Sequence, residues 1–247
     1  RKESSAASDV YKRQTQMFPG FPEETVRFFL DLRFHNETSW FHAHREAYEA
    51  YVRKPFSQFI QAMTPTVMRI ADDMETRPNK CLARINRDIR FTRDKSPYRD
   101  HMWLLFRRSG EEREHSVMYW FELSPEVVEW GVGFWGYNRP AMDALRQRME
   151  KKPAEVRRML RQCGIPDETL HIYGDRYKSM KPPAGMPADL AMLYPCKEIY
   201  VKRVGVPLAE SYRPEIIDRV SEDFLRLKPL YLLLRQAADD GMAKLDA

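Results

Sequence analysis

Residues 102–135 read MWLLFRRSGEEREHSVMYWFELSPEVVEWGVGFW, and this stretch decides the fold class. Positions 102–106, 117–123 and 127–135 are β-branched and aromatic runs of strand length. Ser109-Gly110 and Ser124-Pro125 separate them as turn signals. Just upstream, Ala83, Ile85, Ile89 and Phe91 alternate with Arg84, Asn86, Asp88 and Arg90, which predicts a strand over 83–91. One later run, 198–206, reads as a further strand. Consecutive strands with short links form antiparallel meanders. The expected architecture is therefore α+β: a central antiparallel sheet, a meander of about four strands plus one later strand, covered by N- and C-terminal helices.

The flanks carry helical spacing. Pro22 followed by Glu23 and Glu24 starts a helix with Val26, Phe29 and Leu30, and Asn36 ends or restarts it. A stripe of Phe41, His44, Tyr48, Tyr51 and Val52 follows, with a break expected at Pro55. The next helix carries Phe56, Phe59, Ile60, Met63, Val67, Ile70 and Met74 with a kink at Pro65. After the strands, Asn138 caps a helix beginning near Pro140, and Lys152-Pro153 begins another that stops at Cys163-Gly164. Pro214 opens a last helix with Ile217, Val220, Phe224, Leu227, Tyr231 and Leu234 on one face. Residues 17–240 are expected to form a single domain. Residues 1–16 have no apolar h-region, and Ser4 to Gln14 (SSAASDVYKRQ) looks like translated adapter read-through; a disordered or artefactual extension is expected there.

Composition excludes several classes. The 247 residues are 43% hydrophobic and 31% charged, which is ordinary globular chemistry rather than that of a fibrous or disordered chain. No apolar run approaches the roughly 20 residues of a membrane span, so no membrane role is expected. Cys81, Cys163 and Cys196 are too few for a disulfide framework and too scattered for a zinc site, which suits a reducing compartment.

The densest chemistry lies at residues 84–99, RINRDIRFTRDKSPYR: six cations face only Asp88 and Asp94. In a strand, Arg87 would share a face with Ile85, Ile89 and Phe91 and would need a buried acidic or carbonyl partner, a structural role. The connection 92–100 is long for a hairpin, and long connections on a rigid sheet often carry binding groups. Arg90, Lys95, Tyr98 and Arg99 are the candidates for holding an anion, with Arg139 and Lys181 closing the site. Asp88 or Asp94 would orient a guanidinium or exchange protons, the candidate catalytic role. The competing reading of the same loop is a solvated charged surface, with ion pairs worth roughly 0–1 kcal/mol each. Trp103 and Trp120 could lie beside Arg90 as an aromatic floor, although core packing is the favoured reading of both.

Other patterns lead elsewhere. Gly131, Gly133 and Gly136 satisfy G-x-G-x-x-G, but Val132, Phe134 and Trp135 continue a strand where a dinucleotide fingerprint needs a helix start. Two such glycines rather admit a close neighbour. His42 and His44 are two apart and do not share a helix face; His35, His101, His115 and His171 show no ligand spacing, so no metal is expected. Ser96 and Cys163 lack the setting of a nucleophile. No cofactor is expected.

Residues 84–99 closely resemble the central motif of the bacterial and fungal family called domain of unknown function 2461. Leu30, Asn36, Trp40, Phe41 and Tyr48 resemble its N-terminal helical segment, and Gly131-Val132-Gly133 and Lys181-Pro182-Pro183-Ala184-Gly185 also fit. One departure is His35, where the family usually shows a second Asn. The resemblance covers nearly the whole chain from Phe18 to Gln236. It implies an α+β fold and a cytoplasmic setting, and no activity.

Three functions compete: a basic pocket for a phosphate- or carboxylate-bearing small molecule, with or without catalysis; a non-catalytic protein-interaction module; and nucleic-acid binding by the basic loop with Arg107, Arg108, Arg157, Arg158 and Arg161. Residues 17–247 carry a net charge of only +3, and Glu111, Glu112 and Glu114 interrupt the basic run, which argues against a broad nucleic-acid footprint. The oligomeric state is not legible.

Overall fold

A computed structural model describes residues 18–114, 116–165 and 168–244; the N-terminal extension 1–16 lies outside them. The apolar runs form strands β1 (Met102–Arg107), β2 (Val117–Leu123) and β3 (Val128–Phe134), joined later by β4 (Leu170–Tyr173) and β5 (Tyr200–Arg203). They make one antiparallel sheet in the order β1-β2-β3-β5-β4, so the fold is α+β. Gly131 pairs with Lys202 and Gly133 with Tyr200. A β-carbon on Gly131 would fall 1.9 Å from the Val201 carbonyl oxygen. The G-x-G pattern therefore serves close strand pairing.

Backbone proximity groups the described residues into two compact units. The first takes in residues 18–106, 120–130 and 206–222. It holds α1 (Glu23–Phe34), α2 (Thr38–Ala43), α3 (Arg45–Tyr48), a π-helical turn (Glu49–Arg53), α4 (Lys54–Ile70) and α5 (Pro78–Cys81). Its core is a cluster of rings: Phe21 stacks on Phe121 at 5.6 Å, Phe59 meets Phe121 at 4.3 Å, and Phe18 packs edge-on against Phe21 and Phe59.

The second unit takes in 107–119, 131–205 and the residues from 223 onward. It holds α6 (Arg139–Lys151), α7 (Pro153–Cys163), α8 (Ala188–Ala191) and α10 (Lys228–Ala243); α9 (Ile216–Arg226) runs from one set of residues into the other. The Asn138 side chain accepts from Ala141 N–H at 3.2 Å, and Gly164 ends α7 in the left-handed region, as their residue types predict. The buried Tyr119 hydroxyl donates to the Phe224 carbonyl at 3.0 Å, and Arg203 Nε meets Asp223 Oδ2 at 2.7 Å. None of the three cysteines forms a disulfide and all are buried: Cys81 in the first unit, Cys163 and Cys196 in the second.

Four expectations need correction. Residues 83–91 form no strand; only the isolated bridges Leu82–Leu104 and Asn86–Tyr98 appear. Around the Asn86–Tyr98 bridge the Ile85 carbonyl accepts the Arg99 N–H and the Pro97 carbonyl accepts the Arg87 N–H, but Pro97 has no N–H to return to Arg87, so the ladder lacks that donor. Pro55 does not break the helix. The π-helical turn widens the backbone ahead of it, and the Tyr51 carbonyl, which Pro55 cannot serve, accepts the buried Thr25 hydroxyl at 2.5 Å. The helix through Pro65 ends at Ile70, short of Met74. The last helix is two, α9 and α10, separated at Leu227 because Pro229 opens the second. Strand β4, only four residues long, escaped the periodicity reading.

Candidate functional site

In the first unit, the helical segment 41–53 and the extended segment 82–86 enclose a cleft of about 400 Å³. Phe41, Tyr48, Ile85 and Tyr98 supply its apolar surface. The ring of Tyr98 stacks on Phe41 at 4.1 Å and 19°. Asn36 fixes Tyr98 by clamping its backbone: Asn36 Nδ2 donates to the Tyr98 carbonyl and Asn36 Oδ1 accepts the Tyr98 N–H, each at 3.0 Å. Burial pushes the Tyr48 hydroxyl up to about 12, so it stays a hydrogen-bond donor at neutral pH.

The polar lining is basic. Arg53 is neutralised by Glu49 one turn earlier, at 3.1 Å. Arg45 and Arg84 line the same cleft and form no salt bridge among the described residues. Asn79 and Asn86 add neutral polar groups, and His42 stands at the helix side. An aromatic surface under two uncompensated guanidinium groups suits a flat ligand carrying an anion.

The residues singled out from sequence divide between this cleft and its surroundings. Tyr98 lines the cleft. Arg90 is exposed and held by Asp88 through two bonds, Nε to Oδ1 at 2.9 Å and Nη2 to Oδ2 at 2.7 Å. Lys95 donates to the Ile89 carbonyl at 2.8 Å. Arg99 lies 4.7 Å over the Trp103 ring, so Trp103 meets Arg99 rather than Arg90. Arg87 pairs with Asp94 at a partly exposed position. Arg139 and Lys181 are exposed in the second unit, Arg139 lying 3.6 Å from Asp143. The Arg90 guanidinium holds the Asp88 carboxyl down at about 2. Bonds from the Ser96 hydroxyl and N–H, then from Arg87, hold Asp94 well below the usual carboxylate range. Both acids are ionised braces of the loop.

The sequence reading missed Arg45, Glu49 and Arg53. Their signal was present: His42, Arg45, Glu49 and Arg53 recur at intervals of three and four, a polar stripe beside the apolar one.

The family model described as "Conserved hypothetical protein (DUF2461)" matches residues 24–232. The chain belongs to this family. The matched region of this DUF2461 protein includes both walls of the cleft and the whole of the 84–99 motif. Neither the curated proteins nor the solved structures contain a match. Among the described residues of the DUF2461 chain, no group of three or more His, Cys, Asp or Glu side chains is placed to hold a metal ion, and no helix is long and apolar enough to cross a membrane.

Proposed function

We propose that the cleft binds a small molecule in which a phosphate or carboxylate sits beside a flat ring. One observation carries this reading: Arg45 and Arg84 face a single cleft without acidic partners, while Arg53, Arg87 and Arg90 around them are each paired. A charged side chain left uncompensated at the rim of an aromatic hollow supports recognition of an anion. The setting is cytoplasmic in this reading, which the buried cysteines without disulfides support.

Calorimetric titration with adenosine monophosphate and, separately, inorganic phosphate tests it. The nucleotide is expected to bind the unaltered protein more tightly than phosphate does. Arg45→Ala and Arg84→Ala should each weaken the nucleotide roughly ten- to hundredfold, the scale of a charge-assisted hydrogen bond. Both side chains are exposed, so the melting temperature should scarcely move. Affinity unchanged in both variants, or no binding of either probe, sinks the reading.

Phe91 favours a second reading, a protein-interaction module. Its ring is 91% exposed on a loop braced by Asp88 and Asp94. A photo-crosslinker at position 91 should then give one discrete protein adduct, and under the first reading none.

A further inference from the structure

The outer face of the sheet in the second unit has a composition that the cleft does not explain. Directly paired residues of neighbouring strands share a face, so Gly131, Gly133, Tyr200, Lys202, His171 and Tyr173 lie on one side of β3, β5 and β4. The opposite side carries Ile172 and Val201, which line an apolar space with Leu145, Met149, Leu230 and Leu234. One face is thus core. The other is aromatic and partly exposed, and carries Glu129 as well as Lys202.

The glycines shape this outer face. A β-carbon on Gly133 would lie 2.4 Å from the β-carbon of Tyr200, so only glycine leaves room for that side chain. Tyr200 in turn lies parallel to Tyr173, with ring centres 5.4 Å apart. Beyond β3 the chain presents Trp135 and Tyr137, 48% and 60% exposed. Each of three rings has its own cation: Arg113 lies 4.3 Å over Trp135, Lys197 4.7 Å over Tyr137 and Lys202 5.3 Å over Tyr173. Arg113 and Lys197 form no salt bridge among the described residues, so their charge is available to a ligand. Of the nearby acids, Asp175 accepts the Tyr137 hydroxyl at 2.6 Å, and Glu198 is buried with burial raising its carboxyl.

We propose that this face, from Tyr173 and Tyr200 to Trp135 and Tyr137, binds single-stranded nucleic acid. Successive rings offer stacking to successive bases, and the interleaved cations meet the phosphates. Stacking of this kind is tolerant of sequence, and paired bases in a duplex are withheld from it. The surface differs from the cleft in its residues, and the two stand or fall separately.

Fluorescence anisotropy of a labelled twelve-residue oligothymidylate and oligouridylate, with the matching duplex as control, tests the proposal on the full chain. The single strands should bind, with log affinity falling linearly as log salt rises. Trp135→Ala and Tyr137→Ala should each weaken binding roughly tenfold. Lys197→Gln should reduce the salt slope by about 0.7, one phosphate contact. Thermal melts should show that these exposed substitutions leave the fold intact. Arg45→Ala should change oligonucleotide binding not at all, which separates this surface from the cleft. The proposal is overturned by absence of single-strand binding, by equal duplex affinity with Trp135→Ala silent, or by an acidic polyglutamate that binds Trp135-dependently where the oligonucleotide does not.

Discussion

Glu75 gathers the N–H groups of Thr76 and Arg77 at 3.1 and 3.0 Å and the Arg77 guanidinium at 2.9 and 2.5 Å. These bonds set the turn that leads into α5 and delivers Asn79 to the cleft. The Arg77 guanidinium is the main cause that lowers the Glu75 carboxyl to about 2 in the folded protein, from an ordinary 4.5. A depressed carboxylate contributes stability that is present above its unfolded pKa and lost as pH falls through the folded one. Urea unfolding midpoints should therefore fall between about pH 4.5 and pH 2, and Glu75→Gln should start lower and lose less over that interval. Equal acid sensitivity in both proteins would assign the loss to other carboxylates. At Gly133 the direction is steric: Gly133→Ala drives a methyl group into Tyr200 and should cost about 1–3 kcal/mol by the same measurement.

At the scale of elements, the join between α3 and α4 shows what periodicity can and cannot convey. The apolar stripe through Tyr48 and Val52 correctly indicates a helix, and Pro55 correctly indicates a disturbed backbone. Whether a proline ends a helix depends on what satisfies the carbonyl it abandons, and Thr25 lies in another helix. Thr25→Val keeps the shape and leaves the Tyr51 carbonyl unsatisfied, at an expected cost of about 1–3 kcal/mol. In a Pro55→Ala background the chain regains an N–H, so the same change should cost less; a double-mutant cycle measures the difference. The motif 84–99 gives the converse lesson. Its alternation mimics a strand, but Arg99, Asp88 and Asp94 offer the backbone side-chain partners at short range, and these win. The motif's location was legible, as were Tyr98 and the charge density. The cleft needed Arg45 and Glu49 from a segment some forty residues away, and no local pattern announces such a meeting.

For the molecule as a whole, the net charge of +5 says less than its placement. Residues 84–99 carry +4, yet most of that charge is held by acids and carbonyls of the same loop. Occupation of the cleft should register globally: adenosine monophosphate at a hundred times its dissociation constant should add about 2.7 kcal/mol to unfolding stability, and the same concentration only about 0.4–1.4 kcal/mol in Arg84→Ala. The proposed single domain over 17–240 has a test in the cysteines. Burial raises the thiols of Cys163 and Cys196, so thiolate is scarce while the protein is folded, and alkylation has to wait for opening. Cys81 belongs to one compact unit and the other two thiols to the second. The three sulfurs are thus built-in clocks: a domain that opens cooperatively is labelled at one rate at all three, and two units that breathe apart keep different time.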